Sequence, residues 1–289
     1  MRTKLTSIKS YSAALMVVAL SFVDQSAADD RLKDMISPVS HPVTFEDPRH
    51  STELRGIFAY HEIGDRFVTA GGDVQVYALQ ARFKVNEDLS VIATKDGYVV
   101  LQPDEVVPDD NGMADIALGM KYSFLKSDHN ILTGGLRYEA PLGEEGVFQG
   151  QGDGAINPFA SYGQAFEHFN FIAASGLRLA LDSSDSSFWD LDLHFDMQFG
   201  SFYPLIEFNF IHVLDGGDRL PIADEGEDFF NFGAIDSGGK SLLTMATGAR
   251  YRLSEAIDLG AAYQFPLTDG NGSNIIDWRV TTDLIIYIN

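Results

Sequence analysis

The sequence contains no cysteine and has only 20 Lys and Arg against 42 Asp and Glu in its 289 residues. Without cysteine there is no disulfide framework, thiolate nucleophile, zinc–thiolate site or iron–sulfur cluster. The shortage of bases leaves a net charge of −22. That argues against a nucleic-acid partner, because phosphate binding needs clustered Lys and Arg. No stretch after the N-terminus reaches 18 consecutive apolar residues, so no transmembrane helix is expected there. Helical periodicity is almost absent too. What is present is a chain 45% hydrophobic and 12% aromatic, with 27 Gly and 21 Phe, and such a composition folds.

The first residues read as an address. Arg2, Lys4 and Lys9 precede an apolar run over 13–23, and Ser26 and Ala28 supply the small residues of a cleavage site. Residues 1–28 are expected to be a cleaved signal peptide. Residues 29–51 carry Pro38, Pro42 and Pro48, too many for a regular strand. They are expected to hang in the periplasm or to fold into the barrel as a plug. Residues 52–289 form the remaining domain.

Over that domain the pattern is period two, the mark of strands with unlike faces. In 188–199, Trp189, Leu191, Leu193, Phe195, Met197 and Phe199 alternate with Asp190, Asp192, His194, Asp196 and Gln198. Twelve strands are predicted, over 52–61, 74–86, 89–101, 113–125, 130–140, 155–165, 169–181, 188–199, 202–213, 241–253, 256–267 and 275–288. Most are longer than strands of soluble sheets and long enough to cross a bilayer at a tilt. Tight turns and long polar connections alternate between them. The expected fold is therefore all-β, a single antiparallel up-and-down transmembrane β-barrel of about 12 strands, with short periplasmic turns and long acidic external loops. A soluble β-sandwich or lipocalin-like barrel is the alternative, since alternation alone does not say which face is inside. Tyr122, Tyr138, Trp189, Phe199, Tyr251, Tyr263 and Trp278 near strand ends favour the membrane, as aromatic girdles do.

Two hairpins repeat one another. Residues 119–124 (Gly-Met-Lys-Tyr-Ser-Phe) lead to 135–142, which ends Tyr-Glu-Ala-Pro-Leu. Residues 248–253 (Gly-Ala-Arg-Tyr-Arg-Leu) lead to 260–267, which ends Tyr-Gln-Phe-Pro-Leu. At these residues, and at Gly112, Asp115, Leu118, Gly119, Lys121 and Tyr122, the chain resembles the outer-membrane protein family of the meta pathway of phenol degradation. Ala114 stands where that family's signature has a second glycine. The resemblance implies a cell outer membrane location and a transporter-like role for small, hydrophobic or aromatic compounds. The chain ends on Asn289, whereas outer-membrane barrels usually finish on an aromatic residue.

The inward faces should line a lumen. Lys121, Arg137, Arg178, Asp190, Asp192, His194, Asp196, Glu207, Asn209, Arg250 and Arg279 are the candidate lining residues. Alternate residues of one strand stand about 7 Å apart, too far for the 190–196 set to hold one ion. Two readings follow for it: a solute-binding constriction, or a wall of paired charges. No metal site or cofactor is indicated, and no glycine-rich phosphate loop, nucleophile elbow or HExxH motif occurs. His61 and His212, at the ends of their strands, are the rim candidates for catalysis, and an isolated rim histidine is expected to be solvated. The chain is therefore not expected to be an enzyme. The six long connections carry a net −17 of the −24 left after residue 28. Divalent cations are expected at these acidic external loops, most of all at 214–240, with membrane lipid and a small-molecule solute as further partners. The function expected is passive passage of small molecules. The alternatives are a structural, cation-binding surface barrel with a closed lumen and a barrel enzyme.

Overall fold

A computed structural model describes residues 31–270 and 274–288; the leader read at 1–28 and the terminal Asn289 lie outside these. Fourteen strand segments are present: β1 (Glu53–Glu62), β2 (Gly72–Lys84), β3 (Leu89–Lys95), β4 (Tyr98–Pro103), β5 (Asp110–Met113), β6 (Ile116–Lys126), β7 (Asn130–Ala140), β8 (Ala155–Ala165), β9 (Phe169–Ala180), β10 (Ser187–Met197), β11 (Phe202–Asp215), β12 (Ser241–Ser254), β13 (Ile257–Pro266) and β14 (Trp278–Tyr287). Pairing is antiparallel throughout, and β1 bonds to both β14 and β2, so the sheet closes on itself.

Fourteen segments make twelve staves. The lower half of β2 pairs with β3 and its upper half with β4, while β6 pairs with β3 and β5 with β4. The strands read as single runs over 89–101 and 113–125 are each interrupted, at Asp96–Gly97 and at Ala114–Asp115. Gly97 permits the break: its φ is +122°, and a Cβ there would stand 2.5 Å from the Tyr77 carbonyl oxygen. Asp96 completes the repair, its Oδ1 accepting the Leu79 backbone N–H at 3.0 Å. The last stave begins at Trp278 rather than at 275, because Ile275 and Ile276 turn inward into the core.

The faces are distributed inside out relative to a soluble barrel. Leu79, Phe83, Leu118, Met120, Phe124, Leu136, Phe199 and Leu253 each leave half or more of their surface exposed on the outer face. Arg55, Lys121, Asp192, His194, Glu207, Asn209, Arg250 and Arg279 are buried inside. An exposed apolar belt of this extent needs lipid against it, which rules out the lipocalin-like alternative. Aromatics ring both rims. Tyr60 and Tyr263 both stack on Trp278 at the long-loop end, and Phe166 stacks on Phe169 at a short turn.

Candidate functional site: a lumen filled from both ends

Residues 31–50 lie within the barrel. They enter at the short-turn rim, where the Arg31 backbone N–H bonds to the Asp128 carbonyl, and rise to a reverse turn in which the Thr44 and Phe45 N–H groups bond to the His41 carbonyl. They then descend into β1. Prolines forbid a strand here, so the segment's backbone polar groups must find partners on the wall. Arg49 staples the two limbs together, bonding to Asp47 at 2.6 Å and to the Met35 carbonyl at 2.5 Å. Gly163 makes room, for a Cβ there would meet Pro48 and Met35 at 2.9 and 3.0 Å.

The wall holds this segment by charge. Glu46 is fully enclosed and receives Arg82 at 2.9 Å, Lys121 at 2.8 Å and Arg137 at 3.4 Å. Burial opposes its ionisation, but these three cations hold its carboxyl well below the usual range. Asp47 is held low in the same way by Arg49 and Lys121. Higher up, Glu207 accepts the Val39 and Ser40 backbone N–H groups at 2.8 and 2.7 Å, and Asn209 accepts the Ser40 hydroxyl at 2.8 Å. Arg250 bonds to the Ser37 carbonyl at 3.1 Å and grips Asp283 with two 2.8 Å bonds. Near the short turns His50 lies between the Ser90 and Ser123 hydroxyls, 2.7 Å from each. Burial first, then Lys121 and Lys126, push its pKa down to about 4.

From the other end the connection 216–240 folds inward. Phe229, Phe230 and Phe232 are buried and pack with Phe67, Val74, Val76, Val99, Leu101 and Val147 in the largest apolar cluster. These rings carry their acidic neighbours in with them. Glu225, Glu227 and Asp228 are buried, so part of the acidity assigned to an external rim lies inside the barrel. The wall supplies the counter-charge: Arg279 bonds to Asp228 at 2.8 Å and Glu227 at 2.7 Å. Arg178 donates to the Glu227 and Phe230 backbone carbonyls at 3.0 and 3.3 Å.

All eleven candidate lining residues are thus buried on the inner face, but they do not face an open bore. Lys121, Arg137, Glu207, Asn209 and Arg250 hold the N-terminal segment, and Arg178 and Arg279 hold the inward loop. Within the wall, His194 lies 2.7 Å from Glu207 and 3.0 Å from Asp196, which also accepts Asn170 at 2.9 Å. Asp192 accepts Asn209 at 2.8 Å and stands 3.4 Å from His41. Asp190 is buried beside Arg137 and Arg178 around a small cavity. His61 is not solvated: it is buried, bonds to the Ile275 carbonyl at 2.8 Å and accepts Arg279 Nε at 3.1 Å. The reason is that 274–277 bends over it. His212 is half-buried against the Ser241 hydroxyl at 2.8 Å.

Several residues escape a reading of the strands. Arg55, which pairs with Asp283, sits at an inward position of β1, so alternation could have found it; Lys95, which pairs with Glu139, has the outward parity of Val91 and Ala93 and turns inward only through the irregularity after Ala93. Glu46, Glu227 and Asp228 lie on segments without a period, and no sequence signal places them in the lumen.

The broken staves open a feature on the outer face. A groove of about 740 Å3 is lined by Phe58, Tyr77, Leu79, Tyr98, Met113 and Leu284, among others. Ile57, Ala78, Asp96 and Ala114 form its floor and also line a small apolar cavity on the inner side, with Val43, Val76, Val99 and Phe229.

No known family's sequence pattern matches the chain, and no curated protein matches it by sequence. By structure it is similar to an outer membrane channel from Pseudomonas putida F1, with 12% identity and a TM-score of 0.62 over 88% of this chain and 100% of that one. It is also similar to the NanC porin, with 9% identity and a TM-score of 0.51 over 83% of this chain and 100% of that one. At such identities the likeness is one of fold: a closed twelve-stranded antiparallel membrane β-barrel.

Proposed function

We propose that this barrel is an outer-membrane channel for passive passage of small molecules, closed in the conformation described. One observation carries the reading. The bore is shut by two segments that are not strands, each held by side-chain bonds, rather than by wall side chains meeting across it. Such a closure opens when its bonds are exchanged for water, with no strand pairing broken. The shared barrel architecture with a channel and a porin supports the reading, as does the expected leader at 1–28 for its outer-membrane location. The solute class is hydrophobic or aromatic, as the family resemblance implies. The apolar groove at the broken staves, backed by an apolar inner cavity, supports that choice. Exposed acids remaining on the long loops, among them Asp104, Glu105, Asp109 and Glu144, disfavour anionic solutes.

The second reading is a structural barrel with a permanently closed lumen, favoured by the burial of Asp192 and Arg178 at the mid-lumen positions where a wet path would pass. Planar-bilayer conductance separates the two. The full exported chain should give rare, brief openings, and a folded variant lacking 31–50 should conduct for most of the recording. A folded deletion variant that never conducts sinks the channel reading.

A further inference from the structure

Where the tip of the N-terminal segment meets the inward loop, four ionisable side chains converge from three parts of the chain. His41 belongs to the segment, Glu227 and Asp228 to the loop, and Asp192 to β10. One donor atom each of His41, Glu227 and Asp228 lies within 4.8 Å of the other two. His41 is wholly buried, yet neither of its ring nitrogens makes a hydrogen bond. Its Nδ1 stands 3.4 Å from Asp192 Oδ1 and its Nε2 4.0 Å from Glu227 Oε2. Glu227 Oε1 and Asp228 Oδ2 are likewise buried and without a hydrogen-bond partner, Arg279 taking only the other oxygen of each. Buried polar atoms left unbonded cost about 1–3 kcal/mol each, and one ring nitrogen of His41, Glu227 Oε1 and Asp228 Oδ2 are left so within this one cluster.

Charge identifies the occupant. Asp192, Glu227 and Asp228 carry three negative charges against the one positive charge of Arg279. Arg178, flanking, is matched by Asp190. With a neutral imidazole the cluster is short of two positive charges. We propose that His41, Glu227 and Asp228, with Asp192 beside them, bind one divalent first-row transition-metal ion such as zinc. An imidazole nitrogen with carboxylate oxygens suits that class, whereas calcium prefers six or more oxygens. Metal–ligand bonds of about 2.0–2.2 Å require the donors to draw together by roughly 1 Å. Two of them, His41 and Glu227, sit on left-handed backbone, with φ of +47° and +59°. The ion would tie the lumen segment to the loop. Its binding does not depend on whether the barrel conducts.

The test uses the full exported chain, folded in detergent, stripped with a chelator and titrated with Co2+ while visible absorption is read. The expected result is one equivalent per chain, displaced by an equimolar amount of Zn2+ and retained in millimolar Ca2+. His41→Ala and Asp228→Asn should each weaken binding at least tenfold, with folding checked by heat-modifiable migration in gels. Glu227→Gln replaces either variant that does not fold. Undiminished binding in the folded variants would place the ion on exposed acidic loops and overturn the proposal. So would the absence of any sub-millimolar Co2+ or Zn2+ binding, which leaves His41 as an ordinary ion-pair partner of Asp192.

Discussion

The two segments that fill the barrel are held in unlike ways. Residues 31–50 are bound through charge: Glu46 on three cations, Glu207 on two backbone N–H groups, Arg250 on a carbonyl. The connection 216–240 is bound chiefly through three phenylalanines in an apolar cluster, with Arg279 and Arg178 fixing its register. Charge-assisted bonds can be traded for bonds to water, so their net worth is small until one partner is removed. Buried rings have no such substitute, and their exposure costs in proportion to area. The N-terminal segment is therefore the part built to leave, and the loop the part built to stay.

The largest effect should come from breaking the charged hub. Glu46→Ala leaves Arg137 without its ion-pair partner in a closed space, with Arg82 reduced to Glu53 and Lys121 to the Asp47 carbonyl, and an unpaired buried charge costs about 3–5 kcal/mol. In the folded segment Arg49 is stapled to Asp47 and to the carbonyls of Leu32 and Met35, which protects it from proteases. Its trypsin cleavage in the metal-free variant should accelerate at least a hundredfold, a factor of ten corresponding to 1.36 kcal/mol. Unchanged cleavage would mean that the apolar contacts of Met35, Phe45 and Ile36 hold the segment without Glu46.

A somewhat smaller effect is expected on the other side of the comparison. Phe230→Ala removes a buried ring from the cluster, at a cost of about 3 kcal/mol. Trypsin cleavage at Arg219, which the folded loop ties to Asp185 at 2.7 Å, should rise steeply. Cleavage at Arg49 should stay within about twofold in the metal-free protein. If both sites open together, the two segments are one cooperative unit and the distinction drawn between them fails.

This division also marks how far the sequence could be read. Period two placed every stave to within a few residues, since a strand's faces are written in alternate residues. It also put Glu207, Arg250 and Arg279 on the inner face. It could not say what they touch, because their partners lie on segments whose shape is set by proline, by backbone bonds to the wall and by the wall's own charges. Nor did it show the breaks at Asp96 and Ala114. There the outward face passes from the odd positions Val91 and Ala93 to the even positions Tyr98 and Val100, a slip of one residue between stretches of similar composition. The inward turn of 216–240 was legible only as a conflict, with three phenylalanines inside an acidic loop, and burial of the rings resolves it.

The smallest expected effect distinguishes the charges of the N-terminal segment from one another by pH. His50 is held neutral, its pKa at about 4 in the barrel against about 6.5 once the segment leaves. A folded pKa below the free one makes the segment's hold complete above pH 6.5 and weaker as pH falls toward 4. Glu46 is depressed below 4.5, so its contribution is intact above that pH and is lost only further down. Between pH 6.5 and 5, then, it is His50 that titrates at the base of the segment. The ring is only half enclosed and water screens part of the penalty, which leaves about 1 kcal/mol. Open probability in planar bilayers should rise severalfold from pH 6.5 to 5. In His50→Gln, whose amide can reach both serines without titrating, the rise should vanish. A wild-type profile flat over that window would place the release step elsewhere than the base of the segment. A rise retained in His50→Gln would assign the titration to the acidic loop and make 216–240 the part that moves first.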